Sequence, residues 1–178
     1  HLSLLAESFI QGKTYFLQDP GNSWIDTTPF AGKYYWPSGP FPIILLIPFV
    51  AIFGLFGLFF YQGYLQPVLV FVIFILCFKI ARKESFNRND SLFLSFAFCF
   101  STVFIYVALW PYAWGFTQVV SVLILFLIIY GYFKNFSWWS MGLLAGLAAA
   151  SRLPTLGIFV FYVLSIFFDE KREVEKRF

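Results

Sequence analysis

Charge is what this sequence lacks most. Only 12% of its 178 residues are Asp, Glu, Lys or Arg, against roughly 25% in an ordinary soluble domain. So few charges cannot cover a surface held in water. The shortage is also localised. Residues 41–78 and 91–133 contain no charged residue and no histidine, and 138–168 contain only Arg152. Histidine occurs once, as His1, which excludes a histidine-based metal site within this stretch. The two cysteines, Cys77 and Cys99, both lie inside apolar runs. They exclude a disulfide framework and read as small packing side chains. The net charge of +3 is small, and the basic residues sit in short clusters between the apolar runs. No basic tract suited to nucleic acid is present.

What the sequence has in abundance is apolar length. Hydrophobic residues make up 60% of the chain and the mean hydropathy is +0.78. About 20 apolar residues cross a bilayer core as a helix. In lipid the backbone must satisfy its own hydrogen bonds, which leaves helices or closed barrels. Continuous runs without strict alternation select helices. The expectation is an all-α fold: a polytopic transmembrane helix bundle with an external loop carrying a short amphipathic surface helix. Its partner is the lipid bilayer of a plasma or inner membrane. Apolar segments are expected at about 41–60, 65–80, 91–109, 117–133, 138–152 and 153–168. Pro111 and Gly115 break the long middle run, and the last two segments join at Arg152-Leu153-Pro154, where the proline disfavours helix at the residue before it.

Residues 1–40 are different in kind. Leu2, Leu5, Phe9 and Ile10 fall on one helical face, with Glu7, Gln11 and Lys13 elsewhere, so 1–13 reads as a surface helix ended by Gly12. Residues 14–40 form a long aromatic loop with a turn signal at Asp19-Pro-Gly-Asn22 and with Trp24, Tyr34, Tyr35 and Trp36 suited to headgroup depth. Lysine and arginine counts orient the segments. Loop 79–90, with Lys79, Arg82, Lys83 and Arg88, belongs in the cytoplasm; the cation-free loop 110–117 faces outside; Lys134 is inside, Arg152 outside, and the charged tail 169–178 inside. One conflict remains in this scheme. With 1–40 outside and 79–90 inside, segments 41–60 and 65–80 cannot both be full crossings. Either 41–60 is re-entrant or lies along the interface, or the charge rule fails at 79–90.

Three stretches carry candidate chemistry: Asp26 in Trp24-Ile-Asp-Thr-Thr-Pro29, the run Gly32-Lys-Tyr-Tyr-Trp-Pro-Ser-Gly-Pro40, and Gly142-Leu-Leu-Ala-Gly-Leu-Ala-Ala-Ala-Ser-Arg-Leu-Pro154. Each also has a plain structural reading. Asp26, ahead of Thr-Thr-Pro, suits the cap of a turn or short helix. Lys33 and Arg152 suit snorkelling to headgroups, although an ionisable group at the end of an apolar segment points by default to function. Glu7 suits a solvated helix face. Gly142 and Gly146, with Ala145 and Ala149, read as a small-residue helix-packing stripe.

In order and spacing, Leu-Ala-Glu-Ser-Phe-x-x-Gly-Lys, a loop Asp, Gly-Lys-Tyr-Tyr-x-Pro-x-Gly-Pro and the later Ser-Arg-Leu-Pro junction resemble the GT-C glycosyltransferases, the polytopic enzymes similar to protein O-mannosyltransferases and aminoarabinose transferases. The resemblance implies transfer of a sugar from a polyprenyl-phosphate donor to an acceptor at the extracytoplasmic face. It implies Asp26 as catalytic base and Lys33, Arg152, Glu7 and Tyr35 as substrate-binding residues. Some relatives hold a divalent metal with an acidic pair; here Asp19 and Asp26 stand seven apart and make no Asp-x-Asp pair, so no metal ligand is assigned. Such enzymes are several times longer, so the chain is expected to be a fragment, lacking at least one preceding helix and a C-terminal half. A transporter or flippase of a lipid-linked substrate, or a non-catalytic membrane scaffold, is the alternative.

Overall fold

A computed structural model describes residues 2–17 and 26–168. The turn expected at 19–22, Trp24 and the charged tail 169–178 lie outside the described residues. Among those described, eight α-helices account for most of the chain: α1 (Leu2–Ile10), α2 (Phe41–Leu55), α3 (Gln66–Lys83), α4 (Arg88–Ser101), α5 (Phe104–Leu109), α6 (Ala113–Phe133), α7 (Trp138–Ala149) and α8 (Ile158–Phe168). The fold is thus mostly helical. Two stretches, Gln62–Lys83 and Ala113–Phe133, are long and apolar enough to cross a membrane; α2, α7 and Leu153–Leu164 are apolar but shorter.

Local chemistry explains most boundaries. Asn87 caps α4 by accepting the Asp90 N–H at 2.9 Å, and Ser137 caps α7 by accepting from Ser140 at 3.3 Å. Pro42, Pro67 and Pro154 sit in first turns, where no intrahelical N–H is needed. Arg152 is extended at φ −151° and ψ 129°, which separates α7 from the short turn Leu153–Gly157 that carries Pro154. Buried hydroxyls inside the apolar helices bond back to the preceding turn: Ser95 to the Ser91 carbonyl, Ser121 to Thr117 and Ser151 to Leu147, each at 2.8 Å.

The bundle centre is α3, which packs on both α4 and α6, while α6 also packs on α7 and α5. Its core is carried by Leu69 and Ile73 of α3, Cys99 of α4, Phe116, Val119, Val120, Ile124 and Ile128 of α6, and Met141, Ala145 and Ala148 of α7. Both cysteines are free. At one end, Gln66 of α3 donates to the carbonyls of Val107 (3.0 Å) and Ala108 (2.7 Å), which are left open in the last turn of α5. Gln62 donates to Pro111 at 2.7 Å and accepts the Leu2 N–H at 2.9 Å. The starts of α1, α3 and α6 therefore share one end. Lys79, Arg82 and Lys83 of α3 and Lys134 after α6 share the other.

Three expectations change. The segment expected at 41–60 is a helix only to Leu55 and does not pass through the bundle. Its first N–H bonds to Ala150 beyond α7, and residues 56–61 return its far end to Gln62. It lies against α1 with both ends tied to the same end of the bundle. The segment expected at 91–109 is broken at Thr102-Val103 into α4 and α5; Thr102 turns extended and its hydroxyl accepts the Phe104 N–H at 3.1 Å. Third, the Gly142/Gly146 stripe is exposed, with open space where each Cβ would stand; α7 packs instead through Met141, Ala145 and Ala148.

The loop before α2 holds a small antiparallel hairpin, β1 (Thr28–Phe30) and β2 (Lys33–Tyr35), that an all-helical reading did not include. Ala31 and Gly32 both have positive φ, 49° and 72°, the backbone of the tight turn whose twist matches paired strands. The Gly32-Lys33-Tyr34-Tyr35 motif is this turn and its second strand.

Candidate functional site

The first turn of α6 carries Trp114, and three residues from three other segments converge on its indole. Asp26, just before the hairpin, accepts the indole N–H at 2.7 Å through Oδ1. Trp36, just after the hairpin, packs its ring at 5.4 Å centroid to centroid. Arg152, between α7 and the short turn Leu153–Gly157, holds its guanidinium carbon 5.4 Å from the ring centroid, within range of a cation–π contact. The register pairs Thr28 with Tyr35, so Asp26 before β1 and Trp36 after β2 both lie at the open end of the hairpin, and both reach the same ring. Ser38 donates to the Ser151 carbonyl at 3.3 Å and Phe41 N–H to Ala150 at 3.0 Å, and these bonds hold the Trp36 loop against Arg152.

Two donors at this junction are buried without a hydrogen-bond partner: Nη1 of Arg152 and Nε1 of Trp36. Burying such groups unpaired costs about 1–3 kcal/mol each, more when charged. An oxygen-rich anion is the kind of group that would satisfy them. Asp26 also borders a cavity of about 340 Å³ lined by Tyr106, Trp110, Tyr112, Trp114 and Gln118. Near Tyr112 of its lining, burial pushes the Tyr61 phenol above its usual value, and the Tyr112 and Tyr64 phenols push the same way.

The remaining candidates lie elsewhere. Lys33 stands 4.1 Å over the Tyr15 ring on the outer side of the hairpin, and Tyr35 packs edge-on to Tyr15 at 6.0 Å. Lys33 and Tyr35 form a cluster with Tyr15 and Phe30 rather than with the Asp26 cavity. Glu7 is half-buried on α1, its carbonyl accepting from Gln11. Among the described residues, no three of His, Cys, Asp and Glu come together as a metal site. So the sequence-level candidates Asp26 and Arg152 meet, and Lys33, Tyr35 and Glu7 do not join them.

In the sequence Trp36 reads as a headgroup-level aromatic, and Trp114 as an interfacial anchor or the wall of a substrate cleft in an outer loop. Nothing in spacing signals an indole N–H paired across 88 residues. Gln62 and Gln66 were the accessible clue, being amides set at the start of an apolar run, where a buried amide needs partners.

No family model matches the chain, and no curated protein or solved structure matches it.

Proposed function

We propose that the chain is the membrane-embedded catalytic part of a GT-C-type glycosyltransferase, moving a sugar from a polyprenyl-phosphate donor to an acceptor hydroxyl. In this reading α3, α4 with α5, α6 and α7 pass the membrane alternately. The Asp26 end faces outside, and the end bearing Lys79, Arg82, Lys83 and Lys134 faces the cytoplasm.

The observation that carries the reading is the shared indole: a carboxylate on the edge of Trp114, and a guanidinium with a free buried donor on its face. The chemistry needs both. The acceptor oxygen attacks the anomeric carbon as the carbon–oxygen bond to the lipid phosphate breaks, with its electron pair leaving on the phosphate. The hydroxyl proton passes to Asp26, whose Oδ1 is fixed by the indole and whose second oxygen meets the acceptor. Arg152 offsets the charge gathering on the leaving phosphate, with the Trp36 N–H as a second donor. One displacement with one base inverts the sugar carbon.

A donor with an apolar tail and a polar head also suits the surroundings of α5. One side of α5 gives Tyr106, Val107 and Trp110 to the Asp26 cavity. Its other side gives Ile105, Ala108 and Leu109 to an apolar cleft of about 400 Å³ against α3 and α4. Head and tail of one lipid would meet different walls of the same helix.

The test is Asp26→Asn in the full-length protein, assayed for sugar transfer in membranes. Loss of roughly 10²–10⁴-fold is expected for a missing general base. Undiminished transfer removes Asp26 from the mechanism, and lipid translocation without sugar transfer by the unaltered protein would favour the flippase reading.

A further inference from the structure

The far end of the bundle holds a second assembly of charge that sugar transfer does not use. Lys79, Arg82 and Lys83 from the last turns of α3, with Tyr130 and Lys134 from the end of α6, line a hollow of about 310 Å³. The spacing along α3 explains the gathering: Lys79, Arg82 and Lys83 are three and four residues apart, on one helical face, and α6 lies beside that face. Lys79 stands 5.7 Å over the Tyr130 ring, and one nitrogen of Arg82 donates to the Phe86 carbonyl at 2.7 Å. These contacts position the cations without neutralising them.

The nearby acids do not line the hollow. Glu84 follows Lys83 at the helix end, and Asp90 is engaged by Asn87, whose amide donates to it at 2.6 Å. Helix dipoles favour basic residues at C-terminal ends, and a cytoplasmic excess of them orients segments. Neither effect requires four cations from two helices to surround one concavity, where they repel one another. A multiply charged anion removes that repulsion.

We infer that this hollow is a binding site for the phosphate headgroup of an anionic lipid, preferring a phosphate monoester to a diester. The lipid source follows from position. α3 and α6 are the two helices long and apolar enough to cross a membrane, and the hollow is where both end. Basic pockets between such helix ends hold anionic headgroups. A monoester carries close to two charges at neutral pH, as phosphoamino acids do, and so offsets more of the four cations than a singly charged diester. The hollow lies at the end of α3 away from Gln66, about 27 Å along the helix for its 18 residues, and shares no residue with the Asp26 cavity. The inference does not depend on sugar transfer.

The experiment titrates the purified full chain, in neutral phosphatidylcholine nanodiscs, with phosphatidic acid, phosphatidylglycerol and soluble glycerol phosphate, reading bound lipid by native mass spectrometry. Phosphatidic acid is expected to be retained over phosphatidylglycerol. Lys79→Gln with Lys134→Gln should weaken it roughly thirty-fold, each cation near the surface contributing about a five-fold change. The control pair Lys13→Gln with Arg88→Gln removes the same charge outside the hollow and should leave retention unchanged. Equal retention by the pocket and control variants, equal retention of the two lipids, or soluble glycerol phosphate binding as tightly as the lipid would each overturn the proposal. Because sugar transfer is not the readout, failure here leaves the Asp26 reading standing, and the converse holds.

Discussion

The indole N–H of Trp114 donates to Asp26 Oδ1 at 2.7 Å, tying the acid of the loop to the first turn of α6. A hydrogen bond to a charged group contributes about 1.5–3 kcal/mol. Trp114→Phe keeps a ring beneath Arg152 and removes the donor. Sugar transfer by the full-length protein is expected to fall roughly ten- to a hundred-fold. Unchanged transfer by this variant means that the indole does not orient the acid.

Arg152 tests the opposite half of the site. Lysine keeps the charge and loses both the planar stack on Trp114 and the second donor. Arg152→Lys should lower kcat/KM for the lipid-linked donor by about tenfold and Arg152→Gln by about a hundredfold. Equal falls would show that charge contributes nothing at this position.

Gln62 joins three segments with one side chain, accepting from Leu2 and donating to Pro111 while 1% exposed. Gln62→Leu leaves a buried N–H and a buried carbonyl unpaired, a loss of about 2–4 kcal/mol for the two groups. The check is the unfolding midpoint in detergent. Gln62→Glu keeps one acceptor and adds a charge there, and should fare no better.

Two glycines should respond in opposite directions. A Cβ on Gly39 overlaps the Ala150 carbonyl, so Gly39→Ala must push the start of α2 off the end of α7, at about 1–3 kcal/mol. Gly146 sits inside α7 with open space around it, so Gly146→Ala should stabilise the helix by up to about 1 kcal/mol. Thermal unfolding of the two variants side by side decides this. Loss of stability in Gly146→Ala would indicate that the exposed face of α7 is packed in the working protein.

How much of this was legible follows from the range of each signal. Helix identity is local, and the charge-free runs yielded α3, α6 and α7 to within a few residues. The start of α6 at Ala113, four residues ahead of expectation, depends on Gly115 letting the Trp110 carbonyl approach where a Cβ would overlap it. The α4–α5 break was illegible because Thr102 and Val103 are ordinary residues in an apolar run; the Thr102 hydroxyl bond that shapes the break is visible only once folded. The hairpin was missed because Ala31-Gly32 is a weak turn pair, lacking the Asn or Asp that usually marks such a turn. Arg152 stood out as the one charge in the apolar stretch 138–168, and Asp26 as an acid of the aromatic loop, ahead of Thr-Thr-Pro. Their meeting place did not, since it is set by an aromatic ring that looks like any other at headgroup depth.

The course of α2 has a consequence for sidedness. A stretch that leaves and rejoins the same end adds nothing to the count of passes, so the parity of everything downstream is decided without it. Lengthening Phe41–Leu55 by two turns of leucine would turn a returning element into a through-going one. In the proposed topology the loop carrying Lys134 would then emerge on the side assigned to Arg152, and each later boundary would change faces with it. Reporter tags placed after Lys134 and after Leu153 would exchange compartments in that variant.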